Sequence, residues 1–336
     1  MSQRADILDL LSGKKIDGQP PFSGLIHVTA EGLQSEGLVF HETHKDAGKM
    51  AKAAASTFKL TGLPSATLPL DLCAPAEALG AELNFYEVGE FRFPQVKKVL
   101  IETSEVLSES LQSESLSKDF RSLGRTPLIC EAIGLVKNDI GKEVVISGMI
   151  PGPYTLLLYL CNPKNLFVEM KKEPQTVLNA LFHLSSFLAE IGQAYREAGA
   201  DFITIHDMGG SPAFIGPARY EYFVLPAEKS LIEKLPKPRV LSVCGNVTSS
   251  LHLLAQTGAD AISIDQTVDL AAARFALKDT LLFGNLDPVE TLHRGESAKV
   301  AEAVITAKEA GVDAIWPGCD LVPQMPIQNI KTLLQI

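Results

Sequence analysis

The stretch Glu197-Ala198-Gly199-Ala200-Asp201-Phe202-Ile203-Thr204-Ile205-His206-Asp207 carries the pattern that decides the fold. It reads as a helix end, a glycine stop, and an apolar strand that turns polar only in its last two residues. The same corner returns as Gln256-Thr257-Gly258-Ala259-Asp260-Ala261 and as Glu309-Ala310-Gly311-Val312-Asp313-Ala314. Around these corners, strands are expected over 143–150, 239–243, 261–265, 280–283 and 313–316. Helices are expected over 174–198, 217–235, 248–257, 269–277, 297–310 and 326–335. Nearer the N-terminus the pattern predicts a helix over 4–12, a strand over Pro21–Ile26 and a helix over 46–62. A strand over Ala66–Leu72 (interrupted by Pro69) and a short helix over 74–80 follow.

The strand bodies lack polar alternation, as a parallel sheet buried on both faces requires. Strand, short loop and helix repeat about eight times, which favours a (β/α)8 TIM barrel of the α/β class. It is read as a single domain over 1–336, with an N-terminal helical extension and an insertion around residues 84–125 expected to cap a site. No G-x-G-x-x-G follows an early strand, so a dinucleotide-binding sheet is disfavoured.

The 336 residues are 46% hydrophobic and 21% charged, the balance of a globular protein with a sizeable core. A net charge of −10 argues against a nucleic-acid partner and against anionic membrane surfaces. No apolar run is long enough for a transmembrane helix, and the N-terminus reads as an amphipathic helix rather than a signal peptide. The five cysteines, at 73, 130, 161, 244 and 319, suggest no disulfide framework and fit a reducing cytoplasm.

In such a barrel the chemistry sits at the C-terminal ends of strands. The polar groups there are Asp71, Cys73, His206, Asp207, Cys244, Asn246, Asp265, Asn285, Asp287 and Cys319. Cys130 and Cys161 lie in helix-like apolar runs and read as packing residues. Cys244 and Cys319 both stand on glycine-flanked strand exits, where two thiols are half of the four-coordinate set zinc wants. Any single Asp at a strand end can equally be a helix cap, and Asn285-Leu286-Asp287-Pro288 reads well that way.

At Val240-Leu241-Ser242-Val243-Cys244-Gly245-Asn246, Gly284-Asn285-Leu286-Asp287-Pro288 and Pro317-Gly318-Cys319-Asp320-Leu321-Val322-Pro323 the chain resembles a known family. It is the methylcobamide:coenzyme M methyltransferases of the uroporphyrinogen decarboxylase-like superfamily. The resemblance spans nearly the whole chain, and the middle phrase is shared with the decarboxylases. It implies a zinc site built from a His-x-Cys pair on one strand and a distant Cys. Here the pair reads Ser242-x-Cys244, so both thiols are present and the histidine is not. The adjacent strands end at His206 and Asp265, and either would reach the site across a strand spacing of about 4.8 Å. His206 has the better ligand chemistry. Asp207 also resembles a position in the family's site, yet within a regular strand it and His206 face opposite ways.

The resemblance therefore implies a corrinoid-dependent methyltransferase. The methyl donor would be a methylated cobamide carried on a corrinoid protein, and the acceptor a small thiol such as coenzyme M. Zinc held by Cys244, Cys319 and His206 would activate the thiol. Asp207 and Asp265 are the candidate catalytic residues, and Asn246 and Asn285 the candidate corrinoid-binding ones. Three other readings stay open. One has an acceptor that needs no thiolate activation, such as tetrahydrofolate. A second is a uroporphyrinogen decarboxylase, although Ser23–Ala30 holds no arginine to clamp carboxylates. The third is a protein that binds a corrinoid or tetrapyrrole without catalysis.

Overall fold

A computed structural model describes residues 2–87, 91–115 and 119–336, without the side chains of 113–115. Its strands are β1 (Ser65–Leu68), β2 (Leu83–Asn84), β3 (Gln95–Val96), β4 (Val145–Pro151) and β5 (Phe202–Asp207). Then come β6 (Arg239–Val243), β7 (Ala261–Ile264), β8 (Leu281–Leu286) and β9 (Ala314–Pro317). Seven of them form one parallel sheet in the order β1-β4-β5-β6-β7-β8-β9, while β2 and β3 make a separate antiparallel pair.

The sheet curls into a barrel whose last gap is filled by residues 20–26. Pro21 bridges Ile315 of β9 in parallel. On the other side the Ser23 N–H donates to Ser65 Oγ of β1 at 3.0 Å. This stave was expected to be a regular strand, and it is not. Pro20 and Pro21 bring no N–H to the ladder. Gly24 lets the chain press inward, since a Cβ there would lie 2.2 Å from Thr204 Oγ1 and 2.7 Å from Trp316. The architecture is the (β/α)8 TIM barrel all the same.

The repeated corner has a further physical role. Gly199 turns at φ +123°, ending the helix Pro174–Ala198. Asp201 then accepts the N–H of Ile146 on β4 at 2.9 Å. Asp260 does the same for Arg239 of β6 at 2.9 Å, and Asp313 for Leu282 of β8 at 2.8 Å. Each Asp thus caps the start of the preceding strand, and each is matched by a cation: Arg4, Arg239 and Arg274 respectively.

The N-terminal end of the barrel is plugged by Phe22, Phe202, Phe283 and Trp316, with Phe22 edge-on to Trp316 at 5.2 Å. The helix Gln3–Leu11 covers that plug with Ile7, Leu10 and Leu11. Chemistry is left to the opposite end.

Other departures are local. The helix expected over 217–235 contains a π turn at Tyr220–Val224. That over 248–257 shrinks to Leu251–Leu254 behind a 3-10 turn. Within the insertion, a helix Ser104–Ser115 buries Leu107 and Leu111 and bonds through Ser108 to His183 on the long helix, at 3.0 Å. It lies on the barrel's outer wall; the capping part of the insertion is the segment 93–99. No helix among the described residues is long and apolar enough to cross a membrane.

Candidate metal centre

Three strand ends converge at the C-terminal mouth. His206 stands on β5, directly paired in register with Ser242 on β6. Side chains paired across a parallel ladder share a face, so both point into the barrel. Two residues beyond Ser242 comes Cys244, again on the inner face. His206 Nε2 lies 3.3 Å from Cys244 Sγ. Cys319, just past β9, reaches across the ends of β7 and β8 to bring its Sγ within 3.7 Å of Cys244 Sγ. Gly318 makes that crossing possible, because a Cβ would meet the Gln266 backbone N at 2.6 Å. All three ligand atoms lie within 4.8 Å of one another.

An imidazole thus stands one strand over from Ser242, at the same height, and faces Cys244. The donor spacing fits a tetrahedral ion. Bonds of about 2.3 Å to sulfur and 2.0 Å to nitrogen place two sulfurs roughly 3.8 Å apart and sulfur and nitrogen roughly 3.5 Å apart. A nitrogen and two sulfurs also leave the fourth position open, as catalytic zinc sites do.

The three groups are electrostatically coupled. Cys244 donates toward Cys319, which favours the thiolate on Cys319 and lowers its pKa, while Cys244 is pushed up as the proton holder. Burial works to lower the His206 pKa, but Asp320 and the Cys319 sulfur outweigh it and lift it to about 9. Burial in turn lifts the Asp320 carboxyl to about 6.

The other expected residues hold the frame. Asp265 accepts the Gly245 N–H at 2.8 Å and the Thr267 N–H and hydroxyl at 2.9 and 2.6 Å. It clamps the loop that carries Cys244, and among the described residues it is not one of the three converging ligands. Asn285 donates to the Asp265 and Val268 carbonyls, both at 3.1 Å, fixing the turn after β7. Asn246 is exposed and caps Thr248 N. Asp287 caps the turn that follows it.

Asp207, expected as catalytic, faces away from the metal group, as the alternation of a strand requires. It accepts from Thr155 Oγ1 at 2.6 Å and from Gly210 N at 3.1 Å. Its neighbour Glu228 is equally buried, and burial pushes both carboxyls up. Asp207 thereby fixes the loop after β5, where Ser211 donates to the Cys244 carbonyl at 2.5 Å. Asp71 is likewise occupied, by Arg125 at 3.0 and 3.2 Å and His44 at 3.0 Å. Cys73 beside it is buried, and burial pushes its thiol up to about 12.

A cleft of about 680 Å³ opens beside the centre, with Asp320 and Met208 nearest His206, Phe93 and Tyr159 on its walls and Lys97 and Lys98 at its rim. Asp320 was not singled out from the sequence, although its place next to Cys319 was the signal.

Residues 2–336 match the model of the uroporphyrinogen decarboxylase (URO-D) family. The chain belongs to the uroporphyrinogen decarboxylase family. Within that family it is 31% identical, over 97% of its length and 94% of the relative's, to a methylcobamide:CoM methyltransferase of Methanosarcina acetivorans. A second methylcobamide:CoM methyltransferase, from Methanosarcina barkeri, is 29% identical over 98% of this chain and 95% of its own. A solved structure of a methyltransferase from Methanosarcina mazei superposes with a TM-score of 0.92 at 27% identity, covering 100% of this chain and 98% of that one. The chain is a methyltransferase, in the methylcobamide:CoM branch of the URO-D family.

Proposed function

We propose that this methyltransferase moves a methyl group from a methylated cobamide, presented by a small corrinoid protein, to a thiol acceptor of the coenzyme M type. In this reading His206, Cys244 and Cys319 hold one zinc ion, and a cytoplasmic, reducing setting keeps both cysteines available. The observation that carries it is the convergence of one imidazole nitrogen and two sulfurs within 4.8 Å at the barrel mouth.

Bound there, zinc would supply Lewis acidity, lowering the pKa of an acceptor thiol toward neutrality. The chain's residues do the rest. His206 and Cys244 fix two donor directions from neighbouring strands, and Cys319 closes the set from across the mouth. Asp265 and Asp207 act as positioning residues through Gly245 and the 209–211 loop. The cleft would admit the acceptor beside Asp320. That sulfur forms a bond to the methyl carbon, the cobalt–carbon bond breaks, and the electron pair stays with cobalt as Co(I).

The decarboxylase alternative is disfavoured, since no arginine stands in 23–30 and Arg125 is spent on Asp71 and Glu77. The test is methyl transfer from methylcobalamin to coenzyme M, to other small thiols and to tetrahydrofolate, alongside metal analysis. Thiol methylation that tracks a zinc content of about one per chain is expected. Full activity in zinc-free protein, or methylation of tetrahydrofolate alone, would overturn it.

A further inference from the structure

Among the described residues, Asp320 is the one carboxylate that both approaches the His206–Cys244–Cys319 group and lines the cleft. Its Oδ1 accepts the Ile26 N–H at 2.8 Å, which ties it to the irregular first stave. Its Oδ2 lies 3.7 Å from His206 Nδ1, a distance for charge attraction rather than a formed hydrogen bond. His206 is fully buried, and its Nδ1 has no hydrogen-bond partner among the described residues. The other ring nitrogen, Nε2, faces Cys244.

A histidine ligand must present a bare nitrogen to the metal, so its proton must sit on the other one. Metal-bound imidazoles almost always donate that second N–H to a carboxylate or carbonyl, which fixes tautomer and ring angle. The strand that brings His206 to Ser242's height supplies no such acceptor itself. Resting on the metal reading above, we infer that Asp320 is the positioning residue for His206. It holds the proton on Nδ1, aims Nε2 at the metal, and couples that aim to the Cys319 loop and the Ile26 stave. One carboxylate would thus set two of the three ligands.

Asparagine at this position has nearly the same shape but cannot do both tasks. If its amide oxygen accepts from Ile26, its NH2 faces Nδ1 and favours the wrong tautomer. If it flips, two N–H groups face each other at Ile26. The experiment is zinc affinity by chelator competition for wild type, Asp320→Asn and Asp320→Glu, with the Co(II) ligand-field spectrum of each. Asp320→Asn should weaken zinc by about 10- to 100-fold and shift the Co(II) spectrum. Asp320→Glu, which keeps the charge, should recover part of the loss. Histidine 15N NMR of zinc-loaded wild type should show His206 protonated at Nδ1 and coordinated at Nε2, a measurement that needs no variant to fold. Unchanged zinc affinity and spectrum in folded Asp320→Asn, or coordination through Nδ1, would overturn the inference. A wild type that binds no zinc would instead overturn the metal reading on which it rests.

Discussion

His206 and Ser242 face each other across one ladder, and that pairing makes a sharp test at the scale of single residues. His206→Ser should lose more zinc affinity than the 10- to 100-fold typical of an outer partner. The double variant His206→Ser, Ser242→His moves the imidazole one strand sideways and should restore most of it. Zinc retention in the single variant, measured by chelator competition, would remove His206 from the site. The pH dependence has a definite sign. His206 is lifted to about 9 and Cys244 is raised as well, so in metal-free protein below that pH both carry protons. A zinc ion binding there would have to displace them. Affinity should therefore climb with pH by roughly tenfold per unit for each proton released, and less steeply above about 9, where His206 has already lost its proton. A flat titration by competition would contradict these protonation states.

Between elements, the junction of β1 with the helices Ala74–Ala78 and Thr126–Asp139 depends on a buried ion pair. Arg125 precedes the second helix, forks onto Asp71 beyond β1, reaches Glu77 on the first helix, and lies 5.1 Å over the Phe85 ring. Burial works against the charge on Asp71, but Arg125 and His44 overcome it and hold the carboxyl well below its usual range. Arg125→Met strands that carboxylate in the core and should cost about 3–5 kcal/mol by urea denaturation. A loss under about 1 kcal/mol would mean the pair behaves like a surface one. Because the folded-state pKa is depressed, the pair's contribution is present above the unfolded value of about 3.9 and is lost as pH falls below it. Wild type should thus shed stability below about pH 4, and Arg125→Met should shed less of it there.

Across the whole molecule the two barrel ends divide the work. The N-terminal end is an aromatic plug under the helix Gln3–Leu11, and the mouth carries the donors. Leu10→Ala should cost about 2–5 kcal/mol of stability and leave zinc content unchanged. A change in metal content would show the ends to be coupled. The division also explains what could be read before the structure. The strand Phe202–Asp207 and the helix Pro174–Ala198 were legible to the residue, because an apolar run and a glycine stop are local signals. The stave at 20–26 was misread, since its shape depends on Thr204 and Trp316 pressing on Gly24 from distant strands. At the site, the two thiols were legible from their glycine-flanked exits. What sets His206 apart from Asp265 was not, because it turns on register and on the Gly245 N–H that engages Asp265. Asp320 needed the fold of the Cys319 loop before its reach to His206 had any meaning.

The register of β5 against β6 also bears on how such a centre can change hands over descent. Positions 206 and 242 stand at equal height on the same face, so an imidazole at either would point into the same mouth. A lineage passing from one position to the other has two orders of substitution open to it. Losing the first histidine before gaining the second crosses a form with two sulfurs and no nitrogen. Gaining before losing crosses a form with a spare donor, which keeps three ligands throughout. Ser242→His alone recreates that intermediate, and it should bind zinc at least as tightly as the present protein; a marked loss of affinity would close this route.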